Sequence, residues 1–144
     1  MIVLENLSEK NRKDHLLMFD PKSEKISQIL FYESLNSIFV GYENGCLLQC
    51  DLNEGVSQLK ILKNYENIGL DGIFTCAQIG HLAVFGGKNS KIVFIDMRSR
   101  KIIGEPIQTA YTYVFSLKFC KISNKKTLLS VVGMFPNYSD SRTD

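Results

Sequence analysis

Short apolar runs, rich in Ile, Val, Leu and Phe, alternate with Gly, Asn, Asp and Ser turn signals from one end of the chain to the other. Runs of this length and composition, bounded by turn residues, are typical of β-strands. No long segment places apolar residues at the 3.6-residue period of an amphipathic helix. The pattern therefore predicts an all-β protein.

The runs fall into units of four predicted strands. The first complete unit has strands at residues 26–32, 38–40, 46–50 and 57–62. The second complete unit has strands at 73–78, 82–85, 92–95 and 102–107. Turn residues separate the strands within each unit, which indicates hairpins between successive strands.

The two units share an internal repeat. Residues 38–52 align with residues 83–97 at a spacing of 45 residues without a gap, and three turn residues coincide: Gly41 with Gly86, Asn44 with Asn89, and Asp51 with Asp96. A period of this length is typical of stacked units that bury their faces against one another. We expect Gly41 and Gly86 where a side chain would crowd the turn or φ is positive, Asn in left-handed turns, and Asp accepting turn amides.

The same spacing extends toward both ends of the chain. Residues 2–7 match 47–52 and precede a run at 15–19, while 114–119 and 127–132 supply two strands of a further unit. Gly133 lies 47 residues after Gly86, and we place the two extra residues in a turn at 121–126. The predicted organisation is a repeat region over 1–133 and a polar, mobile tail over 134–144. The repeat region divides into a half unit 1–20, units 26–62 and 73–107, and a half unit 113–133.

The repeated residues form the pattern Gly-x-x-Asn-x-x-[Leu/Ile]-x-x-x-Asp, at Gly41 to Asp51 and again at Gly86 to Asp96. This pattern resembles the segment between the second and third strands of a WD-repeat blade. That family usually has Asp at the turn position and Trp before the last Asp, whereas this chain has Asn at the turn and Cys50 or Ile95 before the Asp. The resemblance implies an all-β, WD-repeat-like β-propeller with about three four-stranded blades.

Closed propellers typically need roughly four to eight blades. We therefore expect an open, partial propeller, either a fragment of a larger one or a chain that closes a ring with a second copy as a homodimer. Of these two alternatives, we favour the fragment.

The resemblance further implies a non-enzymatic protein–protein interaction scaffold. Its partner would contact the loops before each first strand and between the second and third strands. Five residues of those predicted loops are candidates for partner binding: Tyr42, Glu43, Tyr65, Lys88 and Tyr111. Tyrosine combines a large apolar ring with a polar tip, which suits an interface anchor. The alternative for each tyrosine is packing against the core.

Composition limits the other classes of partner. Seventeen Lys and Arg against fifteen Asp and Glu leave a net charge of +2, too small an excess for nucleic-acid binding. The start lacks a signal peptide, and no apolar run is long enough to span a membrane, so we expect a cytoplasmic protein, with the nucleus possible.

Four cysteines are then expected as reduced packing residues. Cys46 and Cys50 in one strand would lie ~13 Å apart, too far to share a metal ion.

Catalytic motifs are not recognisable in the chain. The segment from Gly86 to Ser90 lacks the Lys-Ser/Thr end of a phosphate loop, and no Gly-x-Ser-x-Gly elbow occurs. We expect no enzyme activity and no cofactor. The alternatives are a ligand-binding or enzymatic propeller, suggested by Lys118 in an apolar strand, and a non-functional truncated gene product.

Overall fold

The computed structural model of the chain describes residues 2–4, 15–17, 24–52 and 60–136. In these ranges the protein is all-β, as predicted, with one short 3₁₀ turn at Glu33–Leu35. The strands are β1 (Ile2–Leu4), β2 (His15–Leu17), β3 (Ile26–Tyr32), β4 (Ser37–Tyr42), β5 (Leu47–Asp51), β6 (Lys60–Tyr65), β7 (Ile73–Ile79), β8 (Leu82–Gly87), β9 (Lys91–Asp96), β10 (Lys101–Gln108), β11 (Tyr113–Ser123) and β12 (Lys126–Met134).

Each strand pairs antiparallel with the next one along the chain inside its sheet. We call β3–β6 the first sheet, β7–β10 the second sheet and β11–β12 the third sheet. A separate pair, β1–β2, aligns Ile2 with Leu17. The predicted strand 26–32 is confirmed to the residue, whereas Cys46 lies just before β5 and not inside it. Within the described ranges, no helix has the length and apolar character needed to cross a membrane.

A β-bulge interrupts the pairing of the first strand with the second in all three sheets, at Ser27, Phe74 and Phe115. A bulge adds one unpaired residue and bends the strand locally. The residue after each bulge pairs with a residue at the equivalent position of the second strand. That residue is Gly41 in the first sheet, Gly86 in the second and Val132 in the third. The three sheets thus share one backbone plan.

The third sheet departs from the predicted spacing. Gly133 pairs with Val114, just before the bulge, as Gly87 pairs with Ile73. Gly133 is therefore equivalent to Gly87, and not to Gly86 as predicted. The predicted turn at 121–126 is also wrong, because β11 continues to Ser123 and only two residues, 124–125, separate it from β12. The extra residues lengthen the two strands and add a second irregularity near Ser123. The predicted tail at 134–144 starts inside β12, and residues 137–144 lie outside the described part.

The first and second sheets pack face to face around a cluster of apolar side chains. Phe39 and Phe85 are fully buried, with ring centroids 6.0 Å apart. A fully buried Phe side chain contributes roughly 1.5–3 kcal/mol of hydrophobic free energy. A Cβ at Gly41 would lie 2.8 Å from Ile73 Cγ2, so only glycine lets Ile73 approach this closely. The core between these sheets therefore depends on a glycine as much as on its aromatic rings.

The second and third sheets repeat that arrangement one sheet further along. Val84, Val114 and Leu117 form the buried cluster between them. A Cβ at Gly86 would lie 3.1 Å from Val114 Cγ1, the same relation that Gly41 has to the next sheet. Neither glycine has a positive φ, and both strands continue past them. The crowding that requires glycine comes from the neighbouring sheet, and not from the turn as predicted.

Hydrogen bonds also join each sheet to the next, and in both cases the residue that follows the bulge takes part. Gln28, which follows the first bulge, donates from Nε2 to the Phe74 carbonyl of the second sheet at 2.6 Å. Thr75, which follows the second bulge, accepts on Oγ1 from the Leu117 amide of the third sheet at 3.2 Å. The partners are not equivalent, because Phe74 is the bulged residue of β7 whereas Leu117 lies two residues after the bulge of β11, but each sheet is bonded to the next through the residue after its bulge.

Candidate functional site: a rim of loops

Loops from successive sheets lie side by side along one edge of the stack. We call this edge the rim and define it as residues 43–46, 66–72, 88–90 and 109–112. These loops connect second to third strands or lead from one sheet into the next. They are the two kinds of loop in which the sequence predicts partner contacts.

Backbone hydrogen bonds join three of the four rim loops, those at 66–72, 88–90 and 109–112. The Lys88 amide donates to the Gly72 carbonyl at 3.1 Å, and the Ser90 amide donates to the Thr112 carbonyl at 3.1 Å. The Thr112 amide in turn donates to the Met134 carbonyl at 2.7 Å. Because backbone groups make these bonds, the loops are held in place whatever their exposed side chains are.

Glycine and asparagine residues allow the loops to approach closely. A Cβ at Gly45, whose φ is +86°, would lie 1.9 Å from the Leu70 carbonyl oxygen. Asn89 has a left-handed φ of 75° and donates from Nδ2 to the Gly69 carbonyl at 2.9 Å. Asn44 instead accepts on Oδ1 from the Cys46 amide at 2.9 Å, and the left-handed residue of that turn is Gly45. The two repeated asparagines therefore support the rim in different ways.

The repeated aspartates lie at the ends of third strands, away from the rim. Asp96 accepts hydrogen bonds on Oδ1 from the Arg98 amide at 3.0 Å and the Ser99 amide at 3.2 Å. These hydrogen bonds lower the pKa of the Asp96 carboxyl, and the bond from the Ser99 amide contributes most. Asp51 ends β5 and pairs with both Ser37 and Lys60. The edge of the stack opposite the rim is therefore formed by turns, one of which the Asp96 carboxylate stabilises by hydrogen bonding.

Two of the five candidate partner residues are exposed on the rim. Glu43 and Lys88 both reach solvent, and Glu43 Oε2 lies 3.9 Å from Lys25 Nζ. Tyr111 is half-buried, with its ring 4.8 Å from the Phe135 ring between centroids. The sequence did not single out Phe135, which is 63% exposed. Its only signal is an aromatic residue, one of two with Tyr138, in a segment predicted as a polar tail.

The other two candidates are buried and cannot contact a partner where they lie. Tyr42 is the last residue of β4, and Tyr65 is the last residue of β6. Their side chains are 2% and 3% exposed. Tyr65 donates from its hydroxyl to Gln49 Oε1 at 3.2 Å, and burial raises its pKa to about 12. The packing alternative is the one the structure supports for both tyrosines.

Burial also governs the pKa of two cysteine thiols. It raises the pKa of Cys50 to about 11 and that of Cys76 above its usual value. No disulfide forms among the four cysteines, all of which lie in described segments. In those same segments, no three His, Cys, Asp or Glu side chains are grouped as metal ligands. Lys118 is exposed on β11.

A scan against models of known protein families and a search of curated proteins both find no match to this chain. The rim and the stacked sheets are therefore the observations from which a function is inferred.

Proposed function

We propose that the chain is a non-enzymatic protein–protein interaction module whose sheets are blades of an open, WD-repeat-like propeller. The recurrent bulge, the glycines on which the following sheets pack, and the hydrogen bonds that Gln28 and Thr75 make to the next sheet support this architecture. The observation that carries the function is the rim itself. Backbone hydrogen bonds join its loops at 66–72, 88–90 and 109–112, and the loop at 43–46 packs against them through the close approach of Gly45 to Leu70.

The exposed side chains of the rim suit a protein partner. Both signs of charge are present, at Glu43 and Lys88, and an aromatic pair, Tyr111 with Phe135, lies beside them. Protein interfaces combine aromatic anchors with a polar surround in this way. Covering the 63% of Phe135 that is exposed would remove apolar surface from water, which favours binding.

The proposal is tested with a rim variant that combines Glu43→Ala, Lys88→Glu and Phe135→Ser. A matched control changes three residues at the opposite edge: Leu35→Ser, Gln78→Ala and Arg98→Glu. Both sets are partly or fully exposed, so we expect unchanged thermal unfolding. A protein captured equally by the wild-type chain and the control should bind the rim variant at least roughly tenfold more weakly, as for loss of an interface anchor.

Cross-linking mass spectrometry of the captured complex then places the contact. Cross-links from Lys88 or Lys25 to the partner would agree with the rim. Equal capture by all three proteins, or cross-links only at the opposite edge, would contradict the proposed function.

A further inference from the structure

The outward face of the third sheet holds positions that are covered in the second sheet. Counted from the bulge, Leu128, Ser130 and Val132 correspond to Leu82, Val84 and Gly86. Val84 is fully buried because the third sheet packs over it, whereas Leu128 and Val132 are 58% and 54% exposed. The backbone plan thus provides a packing face on β12 with nothing from the described residues upon it.

The free edge of β12 is built to accept another strand. In the described part of the chain β12 pairs only with β11, along its whole length from Lys126 to Met134, and it contains no proline. The outer strand β10 differs, because Pro106 and a left-handed Gly104 interrupt its pairing between Ile103 and Ile107. Proline and bulges on an edge strand block further pairing, and β12 lacks the proline.

The β1–β2 pair supplies the strands that the third sheet lacks. In the sequence repeat β1 matches β5, the third strand of the first sheet, and β1 pairs antiparallel with β2 as β5 does with β6. β11–β12 correspond to the first and second strands. We propose that two copies of the chain form a closed dimer in which β1 of each copy pairs along β12 of the other, completing two four-stranded sheets.

A second copy, rather than the same chain, follows from the geometry of stacked sheets. If β1 paired with β12 of its own chain, three four-stranded sheets would have to close a ring, fewer than the roughly four to eight that closure needs. Two copies together supply six sheets. Two of these are completed by the exchange of β1, which each copy makes in the same way under twofold symmetry.

Charge complementarity also favours this partner. In the observed stack the turns after the first strands adjoin, since the Tyr32 hydroxyl is hydrogen-bonded to His81 Nδ1. In the dimer the β11–β12 turn of one copy would adjoin the β3–β4 turn of the other in the same way. The third sheet carries no carboxylate and four lysines: Lys118, Lys121, Lys125 and Lys126. The β3–β4 turn, residues 33–36, carries Glu33 and no lysine.

The first experiment measures the molar mass of the purified full chain by light scattering behind a sizing column. The chain has a mass of 16.3 kDa, and we expect a species of twice that mass. By the repeat, Leu4 should lie opposite Ser130, as Gln49 lies opposite Phe39. Leu4→Cys with Ser130→Cys should therefore form a disulfide between chains on mild oxidation, detected on a non-reducing gel.

The single variants Leu4→Cys and Ser130→Cys control for the native thiols and should not give that product. A monomer at every concentration, a disulfide within one chain, a dimer without the cross-link, or larger assemblies would each overturn the proposal. The mass does not depend on Glu43, Lys88 or Phe135, so this result is separable from failure of the rim as a partner site.

A charge exchange tests the same interface without cysteines. Glu33→Lys alone and Lys125→Glu alone should each weaken the dimer by roughly fivefold or more, since each places like charges at both contacts. Mixing the two variants should restore the dimer, because every contact in the mixed species again joins opposite charges. Unchanged dimerisation of both single variants, or no recovery on mixing, would overturn the proposed pairing.

Discussion

The second and third sheets share a bulged first strand and a paired second strand, but differ in their neighbours. The second sheet is packed on both faces, so Val84 and Ile95 are fully buried. The third sheet is packed on one face only, so Ser130, at the position of Val84, is exposed, and Leu128 and Val132 beside it are more than half exposed. Similar backbone positions therefore differ in burial because of what stacks upon them, and not because of local strand structure.

The largest expected effect comes from filling the space that the following sheet occupies. Gly86→Val would push against Val114 and Leu117, and we expect a loss of about 3 kcal/mol in the free energy of unfolding. Val132, at the equivalent position, is exposed, so Val132→Ala should change stability by less than about 0.5 kcal/mol in the monomer. Urea denaturation of both variants checks this.

Equal losses of unfolding free energy for Gly86→Val and Val132→Ala would show that packing of a neighbouring sheet does not determine the cost of the substitution. Dependence of the Val132→Ala effect on protein concentration would instead sharpen the comparison, since the proposed dimer would cover that position.

A smaller effect should follow from removing a hydrogen bond between sheets. Thr75→Val keeps the shape of the side chain but leaves the buried Leu117 amide without its acceptor, costing about 1–2 kcal/mol. Ser116 follows the bulge of the third sheet as Thr75 follows that of the second, yet it is exposed. Ser116→Val should therefore be close to neutral in thermal or urea unfolding. A neutral Thr75→Val would contradict the role of this bond in the stack.

The smallest effect concerns a turn at the edge of the second sheet, where neighbours matter least. The folded pKa of Asp96 lies below its ordinary value of 3.8, so its ionised form contributes stability above that pH. The contribution is lost as pH falls from 3.8 through the folded pKa. Asp96→Asn should therefore be slightly less stable than wild type at neutral pH, and the two unfolding curves should converge in acid. A difference in unfolding free energy between Asp96→Asn and wild type that stays constant from pH 7 to pH 2 would rule out a contribution from titration of Asp96.

The sequence predicts most strands closely because strand patterns are local, although the strand predicted to end at residue 62 continues to Tyr65. Alternating apolar residues and turn signals place the strand at 26–32 to the residue and locate every hairpin of the second sheet. The equivalence of Gly133 was wrong because bulges and longer strands absorb residues that spacing alone assigns to a turn. Only the pairing of β11 with β12 reveals which residues are equivalent.

The candidate site was harder to predict because it depends on contacts between sheets. Tyr42 and Tyr65 follow apolar runs next to turns, where an exposed ring and a buried ring have the same sequence signature. Tyr65 is buried in the cluster between the first and second sheets, whereas Tyr42 is buried among side chains of the first sheet itself. Phe135 was missed for the opposite reason, since its position beside Tyr111 arises only when β12 returns along β11.

The stacked arrangement has a consequence for how the molecule loses its structure. The first sheet packs on the second and the second on the third, so each sheet is stabilised by the ones next to it. Opening of β12 breaks contacts on one side only, whereas opening of β8 breaks them on both. In the monomer, the free energy of local unfolding should therefore rise from β12 inward to β8, so that amide protons of β12 exchange before those of β8 and a protease cuts β12 before β8.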